Sequence, residues 1–283
     1  MPTAHRNDAQ VDTVALPLFV PADRPERIAK AVAALPDAVI IDLEDAVAPD
    51  AKAGARSGLA GALRGLDTSM PLLLRINAAG TPWHEDDVAI AGSLPLAGIV
   101  LPKAGNASDI LRVGGETGLP VVALIESALG ISRVDEVAGA ARRIAFGSID
   151  YAADLAIGHT RQALADARAR ITLASRLAGL CAPIDGVTAA VHDAALLADD
   201  CAHAREMGFG GKLLIHPAQI APARAAFLPS DREIGWARRV LHAAPEKGAF
   251  MLGGEMVDAP VLARARQILA RVPEIALQTG RKV

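Results

Sequence analysis

The chain is poor in aromatic residues and cysteine, carries no excess of basic charge and has no long apolar run, and each shortage removes a class of function. Aromatic side chains make up 3% of the 283 residues and the formal charge is −3, so the basic groove and stacking rings of a nucleic-acid surface are missing. The two cysteines, Cys181 and Cys201, have neither CxxC spacing nor a secretory context, which favours buried free thiols over a disulfide or a zinc site. No uninterrupted apolar stretch approaches the roughly 18 residues of a membrane helix, and the opening MPTAHRNDAQ has no apolar signal-peptide core. No membrane partner is expected, and the protein is expected to be soluble and cytoplasmic. Neither GxGxxG after the first strand nor GxxxxGK[ST] occurs, which removes dinucleotide-fold and P-loop readings.

What is present is apolar residues in short runs. The hydrophobic content of 52% over this length suffices for one large α/β domain plus an extension. Strand-like runs fall at Ala15–Val20, Ala38–Leu43, Leu72–Ile76, Gly98–Leu101, Val121–Ile125, Arg143–Phe146, Cys181–Asp185 and Lys212–Ile215. Ala-rich helical stretches lie between them, at Arg24–Leu35, Ala51–Leu63, Asn106–Glu116, Ala128–Ala141, Thr160–Leu180 and Asp193–Met207. This alternation predicts an α/β fold, a (β/α)8 TIM barrel over residues 13–228 with a C-terminal helical extension over 229–283. A doubly wound open sheet is the alternative. The extension contains helices near Asp231–Ala244 and Pro260–Arg271 around a Gly-rich GAFMLGGEMVD segment, and the closing QTGRKV reads as a frayed terminus.

Charged residues recur just after the apolar runs: Asp42, Glu44 and Asp45 after AVI, Arg75 after LLL, Glu126 after VVALI, and Asp150 after IAFGS. In a parallel barrel the strand C-terminal ends carry the chemistry. Glu126 and Asp150 suit a hard divalent cation, which takes one or two carboxylates plus water and substrate oxygens; alternatively each caps a following helix. Arg75 offers a planar fork to a carboxylate or keto oxygen, or an ion pair to Asp42 or Glu44. Asn77 shares its strand face and could add a polar contact. Glu44 and Asp45 are placed to hydrogen-bond metal waters and orient Arg75. The SID turn, including Ile149, should present backbone N–H groups to an anion, with Gly147 allowing close approach or simply turning the chain. Asp154 is expected to partner His159 or Arg161. Lys103 and Lys212 could meet phosphates or sit solvated at the rim, His216 reads as a loop-packing residue, and Asp258, close before Pro260, has the look of a helix start.

Taken in order, FVPADRPERIAKA, IIDLEDAVAPDAKAGAR, LLLRIN, GIVLPKA, VVALIESALGI, IAFGSIDYAADLAIG, GKLLIHPAQI and FMLGGEMVDAP resemble the HpcH/HpaI aldolase and citrate lyase β-subunit superfamily across almost the whole chain. The nearest branch is the citrate-lyase-β-like one. The resemblance implies that Glu126 and Asp150 bind Mg2+, with Mn2+ as a substitute, and that Arg75 and the Ile149–Asp150 main chain bind the keto-acid moiety. It implies that Asp258 acts in catalysis on a neighbouring subunit's active site, from a segment that serves as a lid, so that the enzyme is a homotrimer or higher homo-oligomer. Where the pyruvate aldolases of the superfamily have a His, this chain has Asp45, which points to the acyl-CoA lyases.

The implied activity is a metal-assisted retro-Claisen cleavage of a 3-hydroxy-acyl-CoA thioester, such as citramalyl-, malyl- or citryl-CoA, to a 2-keto acid and acetyl-CoA. Alternatives are a malyl-CoA thioesterase or malate-synthase-type activity, an aldolase acting on free hydroxy-keto acids, and a citrate lyase β subunit acting on a carrier-protein thioester.

Overall fold

The computed structural model describes residues 3–66, 69–245 and 248–272. Chain contacts divide it into two compact units, Met1–Arg224 and Ala225–Val283. The expected frayed QTGRKV lies outside the described residues.

The first unit holds eight parallel strands in sequential order: β1 (Pro17–Pro21), β2 (Ala38–Asp42), β3 (Leu72–Arg75), β4 (Gly98–Leu101), β5 (Val121–Ile125), β6 (Arg143–Phe146), β7 (Ile184–Asp185) and β8 (Gly211–Lys212). A parallel bridge from Leu18 to Leu214, with Lys212 N–H donating to the Ala15 carbonyl at 2.8 Å and Phe19 N–H to the Leu214 carbonyl at 2.9 Å, brings the last strand back to the first. This is the expected TIM-type barrel. Glycine is required at that seam, because a Cβ on Gly211 would collide with the Ala15 backbone.

Helix α1 (Thr3–Thr13) precedes β1. The others follow the strands in turn: α2 (Pro25–Ala33), α3 (Lys52–Leu63), α4 (His84–Ala91), α5 (Ala107–Thr117), α6 (Ala128–Ser132) with α7 (Val134–Ala140), α8 (Ser148–Asp154) with α9 (Ala165–Leu177), α10 (Ala194–Glu206) and α11 (Ile220–Phe227). Strand periodicity sets which side chains point inward. Ala38 and Ile40, Leu73, Val100, Val122 and Leu124, Ala145, Ile184 and Leu213 form one buried cluster, joined from below by Val11 and Val14 around the end of α1. A large-to-alanine change among these residues costs ~2–5 kcal/mol.

Four features depart from the sequence reading or add to it, the first being β8, which ends at Lys212 instead of running to Ile215. The polar opening residues begin helix α1. Strand β7 is only two residues long, because Pro183 has no N–H to enter the ladder. The Gly-rich segment of the second unit is a hairpin, β9 (Phe250–Leu252) against β10 (Glu255–Val257), turning on Gly253 and Gly254 with φ of 61° and 89°. That hairpin lies with α12 (Asp231–His242) and α13 (Ala259–Ala270) in a separate core containing Ala237, Val240, Val257, Ala265 and Ile268. No helix among the described residues is long and apolar enough to cross a membrane.

Candidate active site

The inward series of three strands end in charge. Ala38 and Ile40 lead by period two to Asp42, Leu73 leads to Arg75, and Val122 and Leu124 lead to Glu126 just past β5. Asp42 and Arg75 are register partners on β2 and β3. These residues line a cavity of about 420 Å3 together with Asp45, Ile149 and Asp150, over apolar walls that include Phe19, Leu124 and Leu213.

Arg75 is clamped. Its Nε and Nη2 donate to the two carboxylate oxygens of Asp42 at 2.7 and 2.6 Å. The remaining edge, Nη1, lies 3.2 Å from Glu44 Oε2 and 3.9 Å from Asp45 Oδ2, and the guanidinium carbon sits 4.8 Å from the centre of the Phe19 ring. Burial opposes its charge, but bonded Asp42 and nearby Glu44 outweigh that and raise its pKa. Asp42 also accepts the Glu44 and Ala46 N–H groups, at 2.9 and 3.2 Å. The same carboxylate therefore fixes both the arginine and the loop that bears Asp45. Buried Lys52 supports that loop from outside, donating to the carbonyls of Leu43 and Glu44 at 2.7 and 2.6 Å.

Glu126 is buried, and among the described residues one of its oxygens is held. Oε1 accepts the backbone N–H of Lys103 at 2.8 Å, while Oε2 has no hydrogen-bond partner among the described residues. Burial, reinforced by the negative charges of Glu44 and Asp150, pushes its pKa up to about 8. A desolvated carboxylate with an unsatisfied oxygen is costly unless protonated or paired with a cation. Lys103 gives its N–H from a positive φ of 49°, and its Nζ donates to Glu44 Oε1 at 2.9 Å. Burial raises the Glu44 pKa, opposed by Arg75 and Lys103. Gly147 is required opposite Glu126, since a Cβ there would lie 2.5 Å from Glu126 Oε2. Among the described residues no group of three or more His, Cys, Asp or Glu forms a metal cage. Glu126 with Asp150 nevertheless fits a cation of the Mg2+ type, which keeps several ligand positions for water and substrate.

Several sequence expectations change. Asp150 lies in the first turn of α8 rather than at the end of β6, and is exposed toward the cavity it lines. The N–H groups of Ser148, Ile149 and Asp150 are there the first-turn donors of a helix start, which have no carbonyl of their own helix to bond. Neither acid is a side-chain cap: Ser127 caps α6 by accepting the Gly130 N–H at 3.1 Å, and α8 starts from Gly147. Asn77 does not line the cavity, because β3 ends at Arg75 and its side chain turns to Asp87 (2.6 Å) and the Leu43 carbonyl (3.1 Å). Asp154 accepts the Ala128 N–H at 2.7 Å instead of pairing with His159 or Arg161. Lys212 is buried, not at the rim, and donates to the Gly186 carbonyl at 2.7 Å. His216 accepts the Ala218 N–H at 3.1 Å, a local turn role. Asp258 lies in the second unit as the N-cap of α13, accepting the Val261 N–H at 3.2 Å. Cys201 is buried and Cys181 exposed, both as free thiols. The ion pair of Arg75 with Asp42 or Glu44 that the sequence offered is formed with both, and with Asp42 it is bidentate. The sequence reading missed Phe19, Lys52 and the Lys103 main chain.

A sequence model of the family described as HpcH/HpaI aldolase/citrate lyase matches residues 16–217. A protein of Deinococcus radiodurans called citrate lyase subunit beta-like protein is 38% identical over 276 residues, covering 89% of this chain and 95% of its own length. A (3S)-malyl-CoA thioesterase of Cereibacter sphaeroides is 36% identical over 270 residues, covering 92% and 94%. Among solved structures, the CitE protein of Mycobacterium tuberculosis in complex with magnesium, acetoacetate and coenzyme A superposes with a TM-score of 0.83 at 36% identity, covering 91% of this chain and 97% of that one.

Proposed function

Because the chain belongs to the HpcH/HpaI aldolase/citrate lyase family, we propose that it is a Mg2+-dependent carbon–carbon lyase that cleaves a 3-hydroxy-acyl-CoA to a 2-keto acid and acetyl-CoA. Citramalyl-, malyl- and citryl-CoA are the candidate substrates. The observation that carries this reading is buried Glu126, with one oxygen fixed and the other without a hydrogen-bond partner among the described residues, in one cavity with Asp150 and Arg75.

Glu126 and Asp150 would hold the cation, for which Mn2+ can substitute. When bound, it supplies Lewis-acid charge to the oxygens of the substrate. The residues of the chain do the rest. Arg75, held rigid by Asp42, directs positive charge at the hydroxyl oxygen that becomes the keto oxygen. The N–H groups of Ser148, Ile149 and Asp150 receive the substrate carboxylate. Glu44 and Asp45 keep the Arg75 edge oriented and accept hydrogen bonds from solvent at the site. The hydroxyl passes its proton to the solvent held at Asp45, its oxygen becomes the keto oxygen as the bond between C2 and C3 of the thioester breaks, and the electron pair of that bond passes to the acetyl-CoA enolate. Asp258, from the lid segment of a neighbouring copy in a homotrimer or larger homo-oligomer, delivers a proton to that carbon and removes it in the reverse direction. The reaction runs in the cytoplasm.

The thioesterase name of the Cereibacter sphaeroides relative favours a second reading, hydrolysis of malyl-CoA by the same cavity. Purified protein incubated with citramalyl-, malyl- and citryl-CoA, with Mg2+ and with chelator, separates the two. Metal-dependent release of pyruvate, glyoxylate or oxaloacetate identifies the lyase and its substrate; free CoA with an intact hydroxy acid identifies the thioesterase. Silence on all three overturns both. Mixing Asp258→Ala with Arg75→Ala should restore part of the turnover if the site is shared between copies, and no recovery would contradict that assignment.

A further inference from the structure

A second cavity, of about 380 Å3, lies beside the first, and Ile149 and Val187 line both. Its buried part is cationic. Arg168 of α9 donates to Asp185 through Nε at 3.0 Å and Nη2 at 3.3 Å. Lys212 lies 3.6 Å from the same carboxylate. All three residues are buried, so two cations share one counter-charge away from water. The Phe146 ring, 5.6 Å from the Arg168 guanidinium, offsets part of the excess. Nη1 of Arg168 is buried with no hydrogen-bond partner among the described residues. Asp200, the other carboxylate lining the cavity, accepts from Thr188 Oγ1 at 2.7 Å and from Arg161 at 3.3 Å. An unbalanced buried cation is costly unless a further anion completes it, and an arginine with an open N–H edge is suited to an oxyanion. Exposed His159, Thr160 and Arg161 line its solvent side and provide an entrance.

We propose that this cavity is a second anion site, taking a small molecule through a carboxylate or phosphate group against Arg168 and Lys212. It is linked to the first cavity by His159, whose Nε2 lies 3.0 Å from Ser148 Oγ, and Ser148 lines that first cavity. The inference does not depend on which thioester is cleaved.

Calorimetric titration of the full chain with inorganic phosphate, and separately with acetate, tests it. Wild type should bind at least one of them saturably at one site, and the preferred anion assigns the group. Arg75→Met, which alters only the first cavity, should leave that affinity unchanged. Arg168→Gln should weaken it at least about tenfold. Ala190→Phe, at a loop position, should do the same by filling the space without touching a charge, and remains decisive if the arginine variant does not fold. Absence of saturable binding, or binding that disappears in Arg75→Met and survives in Ala190→Phe, overturns the proposal.

Discussion

The two ends of the barrel each bury an arginine, and they treat it in opposite ways. At the lower end no carboxylate among the described residues is bonded to Arg143. Its Nη1 donates to the carbonyls of Val11 (2.9 Å), Asp12 (3.1 Å) and Val14, and its Nε and Nη2 donate to that of Ala182 at 3.1 and 2.9 Å. Burial lowers its pKa to about 10, so it stays charged at neutral pH and is satisfied by backbone alone. At the upper end Arg75 is bonded to Asp42, flanked by Glu44 and Asp45, and shares its cavity with Glu126 and Asp150. The lower arginine completes a plug made by α1. The upper one belongs to a set with more carboxylate than cation, in which Glu44 Oε2 and Glu126 Oε2 have no hydrogen-bond partner among the described residues and only the former has a cation beside it, Arg75 at 3.2 Å. Buried polar groups that are fully paired give stability, whereas unpaired ones mark a place where something else binds.

The contrast breaks most sharply at Glu126. Glu126→Ala should lower Mg2+-dependent turnover by more than about 100-fold, since even residues that only support a ligand contribute 10–100-fold. Above about pH 8 its melting temperature without metal should not fall, because there a costly buried carboxylate is removed. Arg75→Lys should lower kcat by roughly 100-fold with the fold kept, because an ammonium cannot reproduce the fork held by Asp42. Arg143→Met should do the reverse: a loss of ~2–4 kcal/mol in denaturant unfolding, from carbonyls left unpaired, with kcat per folded molecule unchanged.

A smaller effect sharpens the same comparison through pH. The pKa of Glu126 is raised from 4.5 to about 8, so its contribution to stability is full below 4.5 and is lost as pH rises through about 8. Metal-free wild type should therefore lose melting temperature across that window relative to Glu126→Gln. Its Mg2+ affinity should climb over the same range, as cation and proton compete for one carboxylate. Identical pH profiles for the two proteins would contradict the burial argument.

Much of the upper end was legible because the inward period of two continues past the apolar run, from Val122 and Leu124 to Glu126 and from Leu73 to Arg75. Motif order carried the fold and family. What escaped depends on where strands stop. Asn77 has the right spacing from Arg75, but the strand has ended and its amide faces Asp87. Lys212 reads as a rim lysine, yet it sits at the barrel seam beside Gly211, where the close approach of β1 buries it. The Lys103 N–H that fixes Glu126 depends on a left-handed backbone turn that no side chain announces. Helix α1 was hidden by polar composition, with Val11 and Val14 as the only signs of a buried face. The hairpin of the second unit did have a signal, a Gly-Gly pair between Phe-Met-Leu and Glu-Met-Val.

The most direct test of the upper-end account is an equilibrium titration of Mg2+ into the substrate-free protein, with Glu126→Ala and Arg143→Met alongside. The account predicts one saturable site in wild type, retained in folded Arg143→Met and weakened at least about 100-fold in Glu126→Ala. Equal affinity in wild type and Glu126→Ala would contradict it.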